Sequence, residues 1–465
     1  MPPPKPPPSA PSAMRDAPAA EARSPSGLLR ILGFWDGVAV VVGVTIGSGI
    51  LRTPGIVAGQ LGRPGLIAAI WVLGALLALG AALCLAELVA QLPRVGGKYV
   101  YAREAFGPLT GFVAGWSEIV SRGMTAAAKC VVIGEYLVLL AGRGSVRGLA
   151  LAAALAFAAL HWTGLRPVRA FQNTATFLKV AILLAVSALG FALGSGFSWE
   201  LPPAAPRTAL QALAAVAISF QVVSFTYYGY DEATKLGEET RDPRRRLPRV
   251  LAVGVLAVTV LYLLVNAAFL YVLTPAEMAG STLVAADVAS RLAGGRVGAL
   301  VTAAALVVLA GSLNVNFLTL PRVGLAMAQD GLAPRPMTAV SGSGAPRTAL
   351  AVATAVIVVA ALAGSFQNLV LVIMSIVLIV DGTVILALFR LRRTRPDLER
   401  PYRVPLYPWL PSVVLAVYGA LLAGIAVSLP WVVAVAVGVL ALLAVLGLPF
   451  ARASRAAGES PARLG

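Results

Sequence analysis

A lysine in the middle of an apolar run is costly, so chemistry is first expected at Lys179. It stands in FLKVAILLAV, ten positions after Arg169. That is about 15 Å along a helix, too deep for its ammonium to snorkel easily to a surface. A lysine at the centre of a bilayer costs about 2.5–3.5 kcal/mol on insertion scales. Three roles would offset that: a proton-linked group, a fixed cation standing where an ion-coupled protein holds its ion, or a structural pair with an acid.

Two further stretches interrupt apolar runs. The first is GVTIGSGILRTPG, Gly43 to Gly55, and the second is SFTYYGYDEATKLGEE, Ser224 to Glu239. Around Gly47, Ser48 and Gly49 a helix can open without a side-chain penalty, leaving the N–H groups of the following half-helix free. Such groups attract an anion, and an amino acid's carboxylate suits them. An isolated pair such as Gly43 and Gly47 more often marks a small-xxx-small helix contact, but Thr45, Ser48 and the matching second break favour a site. In the second stretch Phe225, Tyr227, Tyr228 and Tyr230 surround Gly229, an arrangement suited to a lid and a side-chain pocket; an interfacial aromatic belt is the alternative. Asp231 and Glu232 follow, either to meet a substrate ammonium or to begin an inner half-helix as favourable N-terminal charges.

Other polar residues fall at helical spacing. Glu118, Arg122, Thr125, Lys129 and Tyr136 share one face, with Glu118 and Arg122 placed for an i, i+4 pair that is structural or lines a pathway. Ser312, Asn316 and Thr319 form a similar face, and Pro321 is expected to bend or end its helix. Asp381 is a further acid within an apolar span. Cys84 and Cys130 lie in separate spans and His161 is the single histidine, so no metal cluster, disulfide framework or cofactor is expected. The same poverty of nucleophile motifs sets an enzyme aside; a channel or a non-transporting nutrient receptor remains as a rival.

These residues must be positioned by membrane helices. Hydrophobic residues make up 58% of the 465, charged residues 12%, and the mean hydropathy is +0.85. The apolar blocks run to roughly 20 residues, the length that crosses a hydrocarbon core, and lack the alternation of a membrane barrel. The fold class expected is all-α integral membrane with about twelve spans. They are placed at roughly 36–59, 65–91, 109–141, 148–163, 170–194, 209–236, 250–273, 297–320, 348–363, 367–389, 411–428 and 430–450. An even number puts both termini on one side, and most of the 37 Lys and Arg then fall in segments on that side, which makes it the cytoplasm of a multi-pass cell-membrane protein. The net charge of +17 is therefore dispersed in loops, and no nucleic-acid partner is implied. Residues 1–30, rich in Pro and Ala, are expected to be a disordered cytoplasmic tail, as are 451–465.

The two interrupted spans occupy corresponding places if 31–208 is one repeat and 209–391 an inverted second one, leaving 409–450 as two additional spans. Paired broken helices of this kind point to a transporter site at mid-membrane.

Four segments in order resemble the amino acid/polyamine/organocation superfamily, within it the L-type and cationic amino-acid transporters and their bacterial relatives. They are IGSGI (Ile46–Ile50), AELVAQLPRVGGKYVYAREAFG (Ala86–Gly107), FTYYGYDEATKLGEETRDPRRRLP (Phe225–Pro248) and PRVGLAMAQDGLAP (Pro321–Pro334). The resemblance extends from about Gly33 to Phe450. It implies a LeuT-type 5+5 inverted repeat with broken helices 1 and 6 that moves an amino acid by alternating access. The substrate carboxylate would rest on the backbone of Ile46, Gly47, Ser48 and Gly49, and its ammonium on carbonyls near Val44 and Phe225. Phe225 stands at the family's gating aromatic, with Tyr228 beside it. Lys179 falls where many members carry a lysine in place of a sodium site, so proton coupling or exchange is implied rather than sodium coupling. Thr45, Glu118, Asp231, Ser312 and Asp381 are possible pathway residues. No disulfide-linked subunit is expected, and the substrate leans to a neutral amino acid, with a cationic one, a polyamine or another amine left open.

Overall fold

The computed structural model describes residues 23–197, 208–281, 283–363 and 366–458. Most of the two tails expected to be disordered thus lies outside the described residues. Where the chain enters, at Arg23, it is already packed: Leu28, Leu29, Ile31 and Leu32 are buried. Leu32 exchanges backbone hydrogen bonds with Glu239 and Arg241, each 2.9 Å. Packed structure therefore begins several residues before the expected boundary at residue 30, because four apolar side chains in five positions have a groove to fill.

The helices in chain order are α1 (Phe34–Thr45), α2 (Ser48–Leu61), α3 (Pro64–Gln91), α4 (Lys98–Phe106), α5 (Pro108–Ala141), α6 (Val146–Thr163), α7 (Leu165–Leu193) and α8 (Ala209–Thr226). After a 3-10 helix at Tyr230–Lys235 come α9 (Pro243–Val272), α10 (Pro275–Ala279), α11 (Val284–Ala293) and α12 (Gly295–Gln329). The chain closes with α13 (Arg347–Ala363), α14 (Phe366–Thr394), α15 (Trp409–Ser428) and α16 (Pro430–Gly458). Among the described residues nine helical stretches are long and apolar enough to cross a membrane, and α1 with α2 forms a tenth, bent by 44°. α5, which carries a polar face, and α13, 17 residues long, complete the bundle, and with them the spans among the described residues number twelve. They form the expected all-α, LeuT-type five-plus-five arrangement, with the breaks in the first span of each half and α15 and α16 outside it.

Of the two outcomes expected at Pro321, a bend or an end, the end does not occur, since α12 runs on to Gln329. The Arg322 guanidinium donates to the Leu318 carbonyl one turn back, and also forms a bidentate pair with buried Glu239. Where α1 crosses α9, Gly37 faces Val250 and Gly254 faces Val41 so closely that any added carbon would collide at 2.9 Å or less. Trp71 of α3, Tyr227 after α8 and Tyr262 of α9 form a buried ring cluster with centroids 5.2–5.9 Å apart. Large apolar side chains such as Leu76, Val260 and Val427 point outward, where lipid solvates them. On the face away from the termini, Thr274 and Glu277 cap α10 reciprocally. The hydrogen bond from the Thr274 backbone, with Arg291 beside it, holds the Glu277 carboxyl below its ordinary range.

Removing one partner of a buried, hydrogen-bonded ion pair costs about 3–5 kcal/mol. Glu239→Ala is therefore expected to lower the thermal midpoint of the detergent-purified protein sharply; an unchanged midpoint would show that the Arg322 pair does not hold α12 to the loop after α8.

Candidate substrate site and its gate

A broken helix in a bilayer leaves carbonyls that neither water nor lipid can satisfy. In α1 these belong to Gly43, Val44, Thr45 and Ile46, and each has a donor. Lys179 of α7 donates to Gly43 at 2.6 Å, to Ile46 at 3.0 Å and to Val308 of α12 at 3.1 Å. The Ser312 hydroxyl donates to Val44 at 3.0 Å, and the Tyr262 hydroxyl to Thr45 at 2.7 Å. Lys179 is fully buried and, among the described residues, forms no ion pair with an acid, so the third of its expected roles is not the one found. Gly311 makes room for its head: a carbon added there would stand 2.9 Å from Lys179 Cε and 3.0 Å from Nζ. Gly43 faces Gln172 and Thr176 of α7 while Gly47 faces Ser312 of α12, so the two glycines serve different neighbours rather than one small-xxx-small contact.

The donors freed on the other side of the break are those opening α2, where Gly47 is non-helical and no side chain caps the start. They border a cavity of about 260 Å³ lined by Val44, Thr45, Gly47 and Gly49 from the first break, by Phe225 and Tyr228 from the second, and by Ser312. Gly49 is needed because a side chain there would strike Thr226 at 2.8 Å; Thr53 and Thr226 share a 2.7 Å hydrogen bond across the same contact. Gly229, at φ 134°, packs its Cα side against Val44. The cavity reaches towards the face opposite the termini, where Arg52 and Glu135, both about half exposed, stand 3.8 Å apart.

Towards the termini the cavity ends on a buried network of four carboxylates and three cations. Lys98 meets Asp231 at 2.9 Å and Asp381 at 2.6 Å. Arg122 binds Asp231 at 2.8 Å, and Glu118 and Glu232 at 3.1 Å. Lys235 binds Glu118 at 2.6 Å and Glu232 at 2.8 Å, and the Thr319 hydroxyl also donates to Glu232. The Tyr228 ring lies under Lys98 and Arg122, 4.8 and 4.5 Å from its centroid. With every charge paired, this layer seals the terminal side.

The structure thus brings Val44, Thr45, Gly47, Gly49, Phe225, Tyr228 and Ser312 to one cavity, with Ile46 and Lys179 directly behind it. The Ser48 side chain lies outside the described residues. Glu118, Asp231 and Asp381 do not line the large cavity; they belong to the ionic layer, and Asp381 borders a smaller neighbouring space with Tyr230 and Tyr418. Glu232 does stand, with Asp231, in the first turn of the short helix that follows the break, but that half is six residues of 3-10 helix, and Glu232 is also held by Arg122 of α5 and Thr319 of α12. Sequence reasoning missed Lys98, Lys235, Tyr262 and Gly311. For Lys98 a signal existed in the preceding Gly96-Gly97. Both have positive φ, and a side chain on Gly97 would strike Thr234 at 2.7 Å.

Two broken helices around a mid-membrane cavity, closed towards the termini by the ionic layer and reaching towards the other face, are the arrangement of a membrane transporter. The match to the amino acid permease family covers residues 32–451, and the chain belongs to that family: it is a multi-pass membrane protein that transports amino acids, not an enzyme. Relatives include the b(0,+)-type amino acid transporter 1 of Mus musculus, 29% identical over 84% of this chain and 81% of that one. The serine/threonine exchanger SteT of Bacillus subtilis is 27% identical over 84% and 90%. The Asc-type amino acid transporter 1 of Mus musculus is 28% identical over 88% and 79%.

Overpacking a filled site costs about 1–3 kcal/mol. Gly311→Ala is expected to lose about that much stability and to depress transport, since the new methyl displaces the Lys179 head. A melting temperature and uptake rate equal to the parent's would show that Lys179 is not fixed against Gly311.

Proposed function

We propose that this chain moves amino acids by sodium-independent alternating access, as an exchanger. The observation that carries the reading is the Lys179 ammonium, held by carbonyls of α1 and α12 in the manner of a resident cation. A bound sodium ion would compete for the same oxygens. The substrate's carboxylate rests on the uncapped start of α2 at Gly47, Ser48 and Gly49, and its ammonium takes the second lone pair of the Val44 carbonyl and the Phe225 carbonyl. Phe225 and Tyr228 close over the side chain. Exchange is supported by the likeness to the serine/threonine exchanger. Proton-coupled uptake is the second reading, favoured by the lack, among the described residues, of an acid paired with Lys179.

The Lys and Arg distribution supports a cell-membrane protein with both termini in the cytoplasm, so the cavity faces outward here. Cys84 and Cys130 are buried in α3 and α5, which supports function without a disulfide-linked subunit. The cavity lining argues against polyamines or other organic cations, because among the described residues it holds Arg52, Arg122 and Lys129 but no acid.

Proteoliposomes are expected to take up labelled amino acid only when unlabelled amino acid is loaded inside, with or without sodium. Uptake that instead follows an inward proton gradient would establish the second reading, and a strict need for sodium would sink both. Phe225→Ala should weaken affinity about tenfold, the loss of one good packing contact; an unchanged affinity and exchange rate would remove Phe225 from the site.

A further inference from the structure

Lys129 is the one cation bordering the cavity that, among the described residues, is paired with no carboxylate. Arg52 has Glu135, and Arg122 has Asp231, Glu118 and Glu232. Lys129 sits two turns beyond Arg122 on α5, is only 9% exposed and lines the cavity. Its ammonium has two neutral acceptors, Asn316 Oδ1 at 2.6 Å and the Ser312 carbonyl at 3.4 Å. Three donors thus meet two oxygens, leaving one for the cavity. Ser312 fixes the location, since its hydroxyl reaches Val44 at the break while its carbonyl reaches Lys129. The head of Lys129 therefore lies beside the place proposed for the amino-acid backbone, in surroundings too dry to screen its charge.

We infer that the preferred substrate is an amino acid with a carboxylate in its side chain, such as aspartate or glutamate, and that Lys129 is the residue that binds that second carboxylate. The inference rests on the transport reading above and deepens it. The start of α2 takes the α-carboxylate, which leaves Lys129 for a further anionic group. A cationic side chain would meet Lys129 with no acid on the cavity lining, among the described residues, to balance it.

The test is exchange in proteoliposomes carrying the parent chain, Lys129→Gln or Lys129→Arg, with labelled aspartate, glutamate, serine, leucine and arginine. The parent should favour aspartate or glutamate. Lys129→Gln should lose about 10- to 100-fold in that preference, the worth of a hydrogen bond to a charged group, while keeping serine or leucine exchange. Lys129→Arg should retain the acidic preference. Parent protein that exchanges serine or leucine but neither acidic amino acid overturns the inference and leaves the transport reading standing. Equal loss of every substrate in Lys129→Gln, with the melting temperature unchanged, also overturns it by assigning Lys129 to the α-carboxylate. Parent protein that moves none of the five defeats both. Ligand-dependent melting shifts of each purified variant separate lost binding from lost folding.

Discussion

A helix that opens in the middle of a bilayer must have its exposed carbonyls satisfied by other parts of the protein, and at the α1 break this requirement is met without remainder. Lys179, Ser312 and Tyr262 come from three different helices and cover four consecutive carbonyls. The cost of burying an ammonium and the cost of opening a helix are thereby set against each other. Much of the remaining design follows from bringing those donors close. Gly43 lets α7 approach, Gly311 clears the lysine head, and Trp71 and Tyr227 brace the Tyr262 ring.

The carbonyl end of α1 is occupied by the protein's own groups, whereas the N–H end of α2 is left open to the cavity. That asymmetry gives the site its sign. Added to it is Lys129 on the lining, whose only acceptors among the described residues are neutral, so the cavity favours an anion on two independent grounds, backbone dipoles and a side-chain donor. The ionic layer beneath has the opposite balance, four carboxylates against three cations. Tyr228 belongs to both: its ring borders the cavity while Lys98 and Arg122 lie against it. Tyr228 is thus the direct physical contact between the cavity and the ionic layer.

Much of this was legible in the chain. Span number followed from the length of apolar blocks, and the two breaks from Gly47-Ser48-Gly49 and Tyr228-Gly229, because an interruption by small or polar residues within a span has few uses other than a site. Lys179 announced itself by depth alone. Other features were not legible for identifiable reasons. Asp231 and Asp381 read as potential ligands because an acid in a span is conspicuous, but whether it faces a cavity or a cation depends on which other helix approaches it. Lys98 and Lys235 sit near span ends, where a lysine is ordinary. Pro321 carries the mark of a helix end, yet α12 continues through it to Gln329.

The sequence by itself determined the helical membrane class, the two broken spans and the presence of a deep lysine. These depend on the free energy of placing each residue type in hydrocarbon, which neighbours along the chain are enough to set. Only the tertiary structure decided that Lys179 meets carbonyls, that the acids of the second break are paired in one buried layer, and that Lys129 faces the cavity with no carboxylate partner among the described residues. Each of those turns on distances between helices far apart in sequence, and an ion pair or a site exists only where such helices bring their side chains within a few ångströms.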